Sequence, residues 1–320
     1  MNVSVLGCGR WGSFLACYHS RHHHVTLWGP EGDAPFEILR KERKNSYITL
    51  PPKIELTCDL EKAVEASDYL VISISSQHLA EFGQRLNALD LEGKTFILCM
   101  KGIEAETGRR LTEIMEEVIT QKAAIAVWVG PGHVQDFMKG IPGCMVVDAK
   151  DPATSRRIVQ DFNSDLIRLY VGNDLIGTEV GAAAKNVIGI AAGMLDGKGY
   201  ASLKGALMAR GAREVSRLIK AMGGNELSAY GLCHLGDYEA TLFSAYSHNR
   251  MYGESLVKGE TFGELAEGAA TVVALMKLSE KYQVDMPISR VVYEIIYCGK
   301  KPEEALQELF RRTTKGEFYE

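Results

Sequence analysis

The chain has no CxxC pair. Its seven cysteines (Cys8, Cys17, Cys58, Cys99, Cys144, Cys233 and Cys298) are odd in number and scattered over 320 residues. That pattern excludes a disulfide framework or a cysteine-based zinc site and points to reduced thiols in a cytoplasmic protein. Positive charge is not in excess: 36 Lys and Arg stand against 41 Asp and Glu, a net charge of −5 with both signs interspersed. This excludes the electrostatic footprint of a nucleic-acid or anionic-membrane partner. The longest apolar run, Val180–Leu195, is interrupted at its centre by Lys185 and Asn186, so no membrane span is expected. The basic start and cleavage site of a signal peptide are missing as well, and there is no internal repeat, low-complexity segment or long linker. What remains, 46% hydrophobic and 24% charged, is the composition of an ordinary globular chain of one or two domains.

The first half alternates β-rich runs with helical patterns. Strands are expected at Val3–Leu6, Val25–Trp28, Leu70–Ile74, Phe96–Cys99, Ala124–Val129, Cys144–Val147 and Ile167–Val171, with helices such as Trp11–Arg21, Leu60–Ala66 and Leu111–Ile119 between them. Such alternation predicts an α/β fold, a Rossmann-like doubly wound and mostly parallel sheet. After Asn173 the strand signal stops. Asp174 is placed to cap a helix through Lys185, and further helices are expected at Lys204–Met222, Phe262–Tyr282, Ser289–Cys298 and Pro302–Arg311. The expected organisation is a dinucleotide-binding domain over 1–172 and an all-helical substrate domain over 173–320. A frayed tail is expected after Thr313.

Two features carry chemistry without outside help. GCGRWG, Gly7 to Gly12, follows a strand and opens a helix. There Gly7 permits the tight turn, Gly9 lets the backbone approach a pyrophosphate and Gly12 allows close helix–strand packing. After the second strand, Glu31 stands where an acidic residue binds an adenosine ribose and favours NAD. No adjacent arginine offers a 2′-phosphate clamp, although Arg10 reaches toward a phosphate; NAD and NADP both stay open. The second feature is Lys185 itself. A buried ammonium needs partners or loses its proton, and desolvation draws its pKa toward the range of a working base, though a structural ion pair also buries lysines. The run His22–His24 reads as a solvated turn, because consecutive side chains diverge too far to share a metal; no metal is expected.

These segments sit in an ordered series that resembles the bacterial biosynthetic type of NAD(P)-dependent glycerol-3-phosphate dehydrogenase. GCGRWG, VTLWG, NSYI, CMKGIEAETGRRL, VWVGPGHV, IGTEVGAAAKNVIGIAAGMLDG, GALMARGAREVSRL, HLGDYEATL, SHNRMYG and VDMPISRVVYEIIYCGK follow one another across nearly the whole chain. The resemblance implies hydride transfer with NAD or NADP between sn-glycerol 3-phosphate and dihydroxyacetone phosphate, making the glycerol backbone of phospholipids, in a homodimer. It implies Lys185 as proton acceptor, with Asn186 orienting it or the nicotinamide amide. Lys101 would touch cofactor and substrate; Gly130, Asp237, Ser247, His248 and Asn249 would contact substrate. Gly7, Gly9, Arg10, Trp11, Gly12, Tyr47, Val134, His248, Leu265 and Glu267 would line the cofactor.

The chain departs from that pattern twice. Gly132 stands where the family has Ser or Thr, which removes a hydroxyl. His248 stands where the family's S-R-N-R motif has the arginine that clamps the substrate phosphate. A neutral histidine offers a donor rather than a permanent bidentate charge, and losing a charged phosphate contact costs on the order of 2–4 kcal/mol. Arg250 and Lys101 are the candidates to compensate. Two other readings therefore stand beside the first: a dehydrogenase for another small hydroxy compound, and a non-catalytic dinucleotide-binding regulator. The Lys185–Asn186 pair and Asp237 speak against the regulator, which needs no desolvated base.

Overall fold

A computed structural model describes residues 1–313 and 316–317; the tail expected after Thr313 falls mostly outside them. Eight strands form one sheet: β1 (Asn2–Leu6), β2 (His24–Trp28), β3 (Glu55–Thr57), β4 (Tyr69–Ile72), β5 (Thr95–Leu98), β6 (Ala124–Val129), β7 (Gly143–Ala149) and β8 (Ile167–Val171). Their order is β3-β2-β1-β4-β5-β6-β7-β8. Every neighbouring pair is parallel except β6 and β7. β4 reads Tyr-Leu-Val-Ile and β5 Thr-Phe-Ile-Leu with every residue buried, as parallel strands covered on both faces require. The crossovers are α1 (Arg10–His19), α2 (Ala34–Glu42), α3 (Leu60–Glu65), α4 (Leu79–Asn87), α5 (Leu111–Val118), α6 (Val134–Met138) and α7 (Pro152–Phe162). They bury one apolar cluster on each face of the sheet. The strand order reverses between β1 and β4, so the loops leaving β1, β4, β5 and β6 open a crevice at their carboxyl ends, where ligands bind in such sheets.

The remaining chain is helical: α8 (Leu175–Gly197), α9 (Lys204–Ala221), α10 (His248–Lys258), α11 (Glu267–Tyr282), α12 (Pro287–Tyr297) and α13 (Pro302–Arg311). α8 is long and apolar enough to cross a membrane by length and composition, but 83% of that window is buried inside the protein. Two carboxylates seat it. Asp148 on β7 accepts from the Asp174 amide and the Thr178 hydroxyl, and buried Glu179 accepts from the amide and hydroxyl of Thr112 and pairs with Arg110. The side chain of Asp174 does not cap α8 as expected, because its Oδ2 already accepts from Ser228 Oγ and the Asn225 amide. α10 and α11 press onto α8 almost backbone to backbone: a Cβ on Gly193 would lie 1.8 Å from the Arg250 carbonyl oxygen, and one on Gly253 2.0 Å from that of Ile190.

Three elements differ from the sequence expectation. β3 is a three-residue edge strand too short to show a period. α10 carries a polar face that masked it. The helix expected from Phe262 starts instead at Glu267, where Asn249 Oδ1 accepts from the Gly268 amide and fixes the first turn.

Candidate active site

The crevice between the sheet and the helical half encloses about 670 Å³, the size of a cofactor-plus-substrate site. A second cavity of about 360 Å³ lies among α8, α9, α12 and α13, lined mainly by aliphatic side chains; the convergent lysines and carboxylates lie in the crevice.

The glycine loop forms its first wall. Gly7 turns at φ +117°, and a Cβ there would meet the Ser73 carbonyl at 2.2 Å; one on Gly12 would meet the Gly7 carbonyl at 1.9 Å. Gly9 faces open space instead, and as N-cap of α1 it leaves the first-turn amides without a side-chain acceptor. A dinucleotide pyrophosphate fits that cradle of free amides at a helix N-terminus. Arg10 and Trp11 line the same wall, with the Arg10 guanidinium 5.6 Å from the ring centre of Tyr47. The acidic residue facing the crevice here is Asp33, which also caps α2 through the Phe36 amide; Glu31 is exposed and is not among the lining residues.

Lys185 stands in the third turn of α8, buried, at the crevice floor. Its Nζ lies 3.0 Å from Asp237 Oδ2 and donates to Thr241 Oγ1 at 2.8 Å. Lys101, just beyond β5, reaches the same Asp237 oxygen at 2.7 Å and the Gly130 carbonyl at 2.6 Å. Two ammonium groups thus share one carboxylate oxygen, while Asp237 Oδ1 is buried without a partner among the described residues. Desolvation, opposed by Asp237 and reinforced by Lys101, draws Lys185 down to about 8. Asn186 also lines the crevice; its Nδ2 donates to the Lys101 carbonyl at 2.9 Å and ties α8 to that loop. Thr241 donates its own proton to the Asp237 carbonyl four residues back, within a π-helical turn at Glu239–Phe243, so its lone pairs face Lys185.

The sequence reading missed Thr241, although its spacing of four from Asp237 is the helical neighbour spacing. It also missed His133, which lines the crevice with a buried Nε2 unpartnered among the described residues while its ring donates to the Ala240 carbonyl; burial and nearby Lys185 hold it below the usual histidine range.

Among the other expected residues, Tyr47, Lys101, Val134, Ser247, His248, Asn249, Leu265 and Glu267 all line the crevice. Gly130 and Gly12 stand behind it and act through Lys101 and the glycine turn. Ser247 caps α10 by accepting from the Arg250 amide. Burial raises the Glu267 carboxyl above its usual range. At Gly132, φ is +148° and the Phe137 ring occupies the side-chain position, 2.3 Å from a notional Cβ, which leaves no space for a side chain there. His248 is pushed below the ordinary 6.5, by burial first and then by Arg10, so at pH 7 it carries a hydrogen-bonding nitrogen and no charge. Arg250 cannot compensate from its present position: Nη1 is held by Asp196 and Glu254 and Nε by the Ser244 carbonyl. In the triple histidine, His22 and His24 are exposed while His23 packs edge-on against Phe162.

The comparisons with known proteins agree with this geometry. The family described as NAD-dependent glycerol-3-phosphate dehydrogenase matches with its N-terminal part over residues 2–155 and its C-terminal part over 174–307. The glycerol-3-phosphate dehydrogenase [NAD(P)+] of Pelodictyon phaeoclathratiforme is 35% identical, covering 99% of both chains. That of Prosthecochloris aestuarii is 34% identical over 99% of this chain and all of its own. Among solved structures, the glycerol-3-phosphate dehydrogenase of Coxiella burnetii superposes with a TM-score of 0.90 at 27% identity, covering 97% of this chain and 99% of its own. The chain belongs to the NAD-dependent glycerol-3-phosphate dehydrogenase family.

Proposed function

We propose that the protein interconverts sn-glycerol 3-phosphate and dihydroxyacetone phosphate with NAD or NADP, residues 1–172 holding the dinucleotide and 173–320 completing the substrate site. The observation that carries this reading is the Lys185–Asp237–Lys101 cluster at the crevice floor, with Lys185 and Asp237 buried and Lys185 drawn down to about 8. The dinucleotide, when bound on the Gly7–Gly12 cradle, supplies the hydride acceptor or donor. Lys185 Nζ takes the proton of the C2 hydroxyl on oxidation and returns it to the carbonyl oxygen on reduction. Asp237 keeps part of the ammonium population at neutral pH and offers Oδ1 to a substrate hydroxyl. Lys101 donates to the other oxygen, Oδ2, and adds a second cation at the reacting end.

Drawn down to about 8, Lys185 has both its ammonium and its amine within reach near neutral pH. The ammonium suits an acid for ketone reduction and the amine a base for alcohol oxidation; the biosynthetic direction that feeds phospholipid synthesis rests on the family resemblance. The family resemblance also supports a cytoplasmic homodimer, which light scattering on the purified protein tests. The decisive assay is NADH and NADPH oxidation with dihydroxyacetone phosphate beside dihydroxyacetone and a panel of 2-keto acids. Turnover of the phosphate ester above the others is expected; preference for an unphosphorylated substrate overturns the reading. A second reading, a dehydrogenase for another small hydroxy compound, is favoured by the uncharged His248 and by Phe137 filling the side-chain position at Gly132.

A further inference from the structure

A dianionic substrate tail needs a cation, and the crevice supplies few. Lys101 and Lys185 are both bound to Asp237 and stand at the reacting end. His248 is uncharged at pH 7. Arg250 is held by Asp196, Glu254 and the Ser244 carbonyl, and is not among the residues lining the crevice. Arg10 is different. It is the first residue of α1, half-buried, and lies over the ring of Tyr47. Among the described residues it is the crevice-lining Lys or Arg without a carboxylate partner. From the first turn of α1 it shares the crevice with His248, in the first turn of α10, and its charge is felt by that imidazole.

We infer that Arg10 is the phosphate clamp of this protein, reaching from the dinucleotide side across the crevice to hold the substrate's phosphate next to His248. The inference rests on the proposed glycerol-3-phosphate dehydrogenase activity and names the residue that makes the site specific for a phosphorylated substrate. Tyr47 supports the guanidinium by cation–π contact, while the neutral His248 ring spends its N–H on the Leu265 carbonyl and leaves the tail's charge to Arg10. A guanidinium matches phosphate bidentately where an imidazole does not.

Phosphate also occurs in the dinucleotide, so the test must separate the two sources. Arg10→Gln, His248→Arg and the double variant are compared with the wild type for kcat/KM on dihydroxyacetone phosphate and on dihydroxyacetone, and for NADH affinity by fluorescence titration. The ratio of the two kcat/KM values should fall about thirtyfold or more in Arg10→Gln, the effect of removing one charged contact. It should recover at least about tenfold when His248→Arg restores a cation in the first turn of α10. NADH affinity should move far less than that ratio.

If NADH affinity falls while the ratio holds, Arg10 serves the pyrophosphate and the inference is wrong. A double variant that recovers nothing also refutes it, since the cation would then act only from position 10 on something other than the tail. If the wild type turns over no dihydroxyacetone phosphate, the proposed activity fails instead. Calorimetric titration of the NAD+-saturated protein with inorganic phosphate then decides Arg10 alone: binding lost in Arg10→Gln supports the clamp, and unchanged binding rejects it.

Discussion

Asp237→Asn tests the central electrostatic claim. In the wild type, burial and Lys101 push Lys185 toward the neutral amine, and the Asp237 oxygen 3.0 Å away opposes them, leaving a pKa of about 8. Two unit charges 3.0 Å apart attract by about 1.4 kcal/mol at the dielectric constant of water and about 5.5 kcal/mol at an effective value near 20. At about 1.4 kcal/mol per pH unit, removing that attraction lowers the Lys185 pKa by roughly one to four units, and measured neighbour effects favour roughly one to three. The sign is fixed by the mechanism. The amine is the base, so kcat/KM for glycerol 3-phosphate oxidation should rise with pH up to about 8 in the wild type and then level off. Reduction of dihydroxyacetone phosphate should show the mirror image.

In Asp237→Asn both limbs should move to lower pH, and reduction at pH 7 should lose more activity than oxidation because the ammonium form is depleted. The assay is a set of initial rates from pH 5.5 to 10 in buffers of constant ionic strength. A midpoint that stays near 8, or rises, would refute the placement of Lys185 as the titrating base. Lys185→Arg serves as the control: a guanidinium does not deprotonate in this range, so the limb should vanish and the rate fall about 10²–10⁴-fold.

Three further outcomes are expected. Lys185→Met should cut turnover in both directions by about 10²–10⁴-fold while leaving NADH affinity, read by fluorescence, within a few-fold of the wild type; normal turnover would remove Lys185 from the chemistry. Gly12→Ala should place a methyl 1.9 Å from the Gly7 carbonyl and destabilise the protein by about 1–3 kcal/mol, with weakened NADH binding; an unchanged urea midpoint and affinity would show the turn is looser than drawn. His19 is buried with neither ring nitrogen bonded among the described residues, amid Tyr18, Trp128 and Phe162, and burial draws it down to about 3. The unfolded chain takes up its proton below about 6.5 and the folded one does not, so this site should remove roughly 2 kcal/mol of stability between pH 7 and 5. His19→Phe should lessen the loss of urea resistance over that interval, and an identical loss in both proteins would exclude His19 as the cause.

What the sequence made legible was local. The Gly7–Gly12 loop, the alternating strands and the helix around Lys185 each carry their signal within twenty residues, and each formed where expected. Asp237 is the opposite case. Taken alone, its surroundings suggest a helix cap, and it entered the expectation only through the family resemblance; its contact with Lys101 spans 136 residues. Thr241 and His133 were invisible for the same reason, since their significance lies in which loops close over α8. Asp174 shows a limit of another kind. It occupies the N-cap position, but Ser228 and Asn225 compete for its oxygen, and no local rule anticipates a partner fifty residues away. Glu31 and Asp33 differ by two positions, yet the turn points one outward and the other into the crevice.

The composition that makes α8 resemble a membrane span and the depressed pKa of Lys185 have one physical cause. An ammonium can be desolvated only if the surrounding backbone comes close enough to exclude water. On α8 the small residues permit that approach: Gly193 admits the α10 backbone, and Gly189 admits Thr241, whose methyl would lie 2.7 Å from a Cβ there. The first turn of α11 comes as close from its own side, where a Cβ on Gly268 would lie 2.7 Å from the Asn186 carbonyl oxygen. Larger side chains on α8 would hold α10 and the π-helical turn away, let water reach Nζ and return it toward the ordinary lysine value of about 10.4. The glycines in this helix, which cost helix propensity, therefore act on catalysis through packing. The same closeness makes Asp237 and Thr241 the polar partners of Lys185 and leaves Asp237 Oδ1, unpartnered among the described residues, for a substrate hydroxyl.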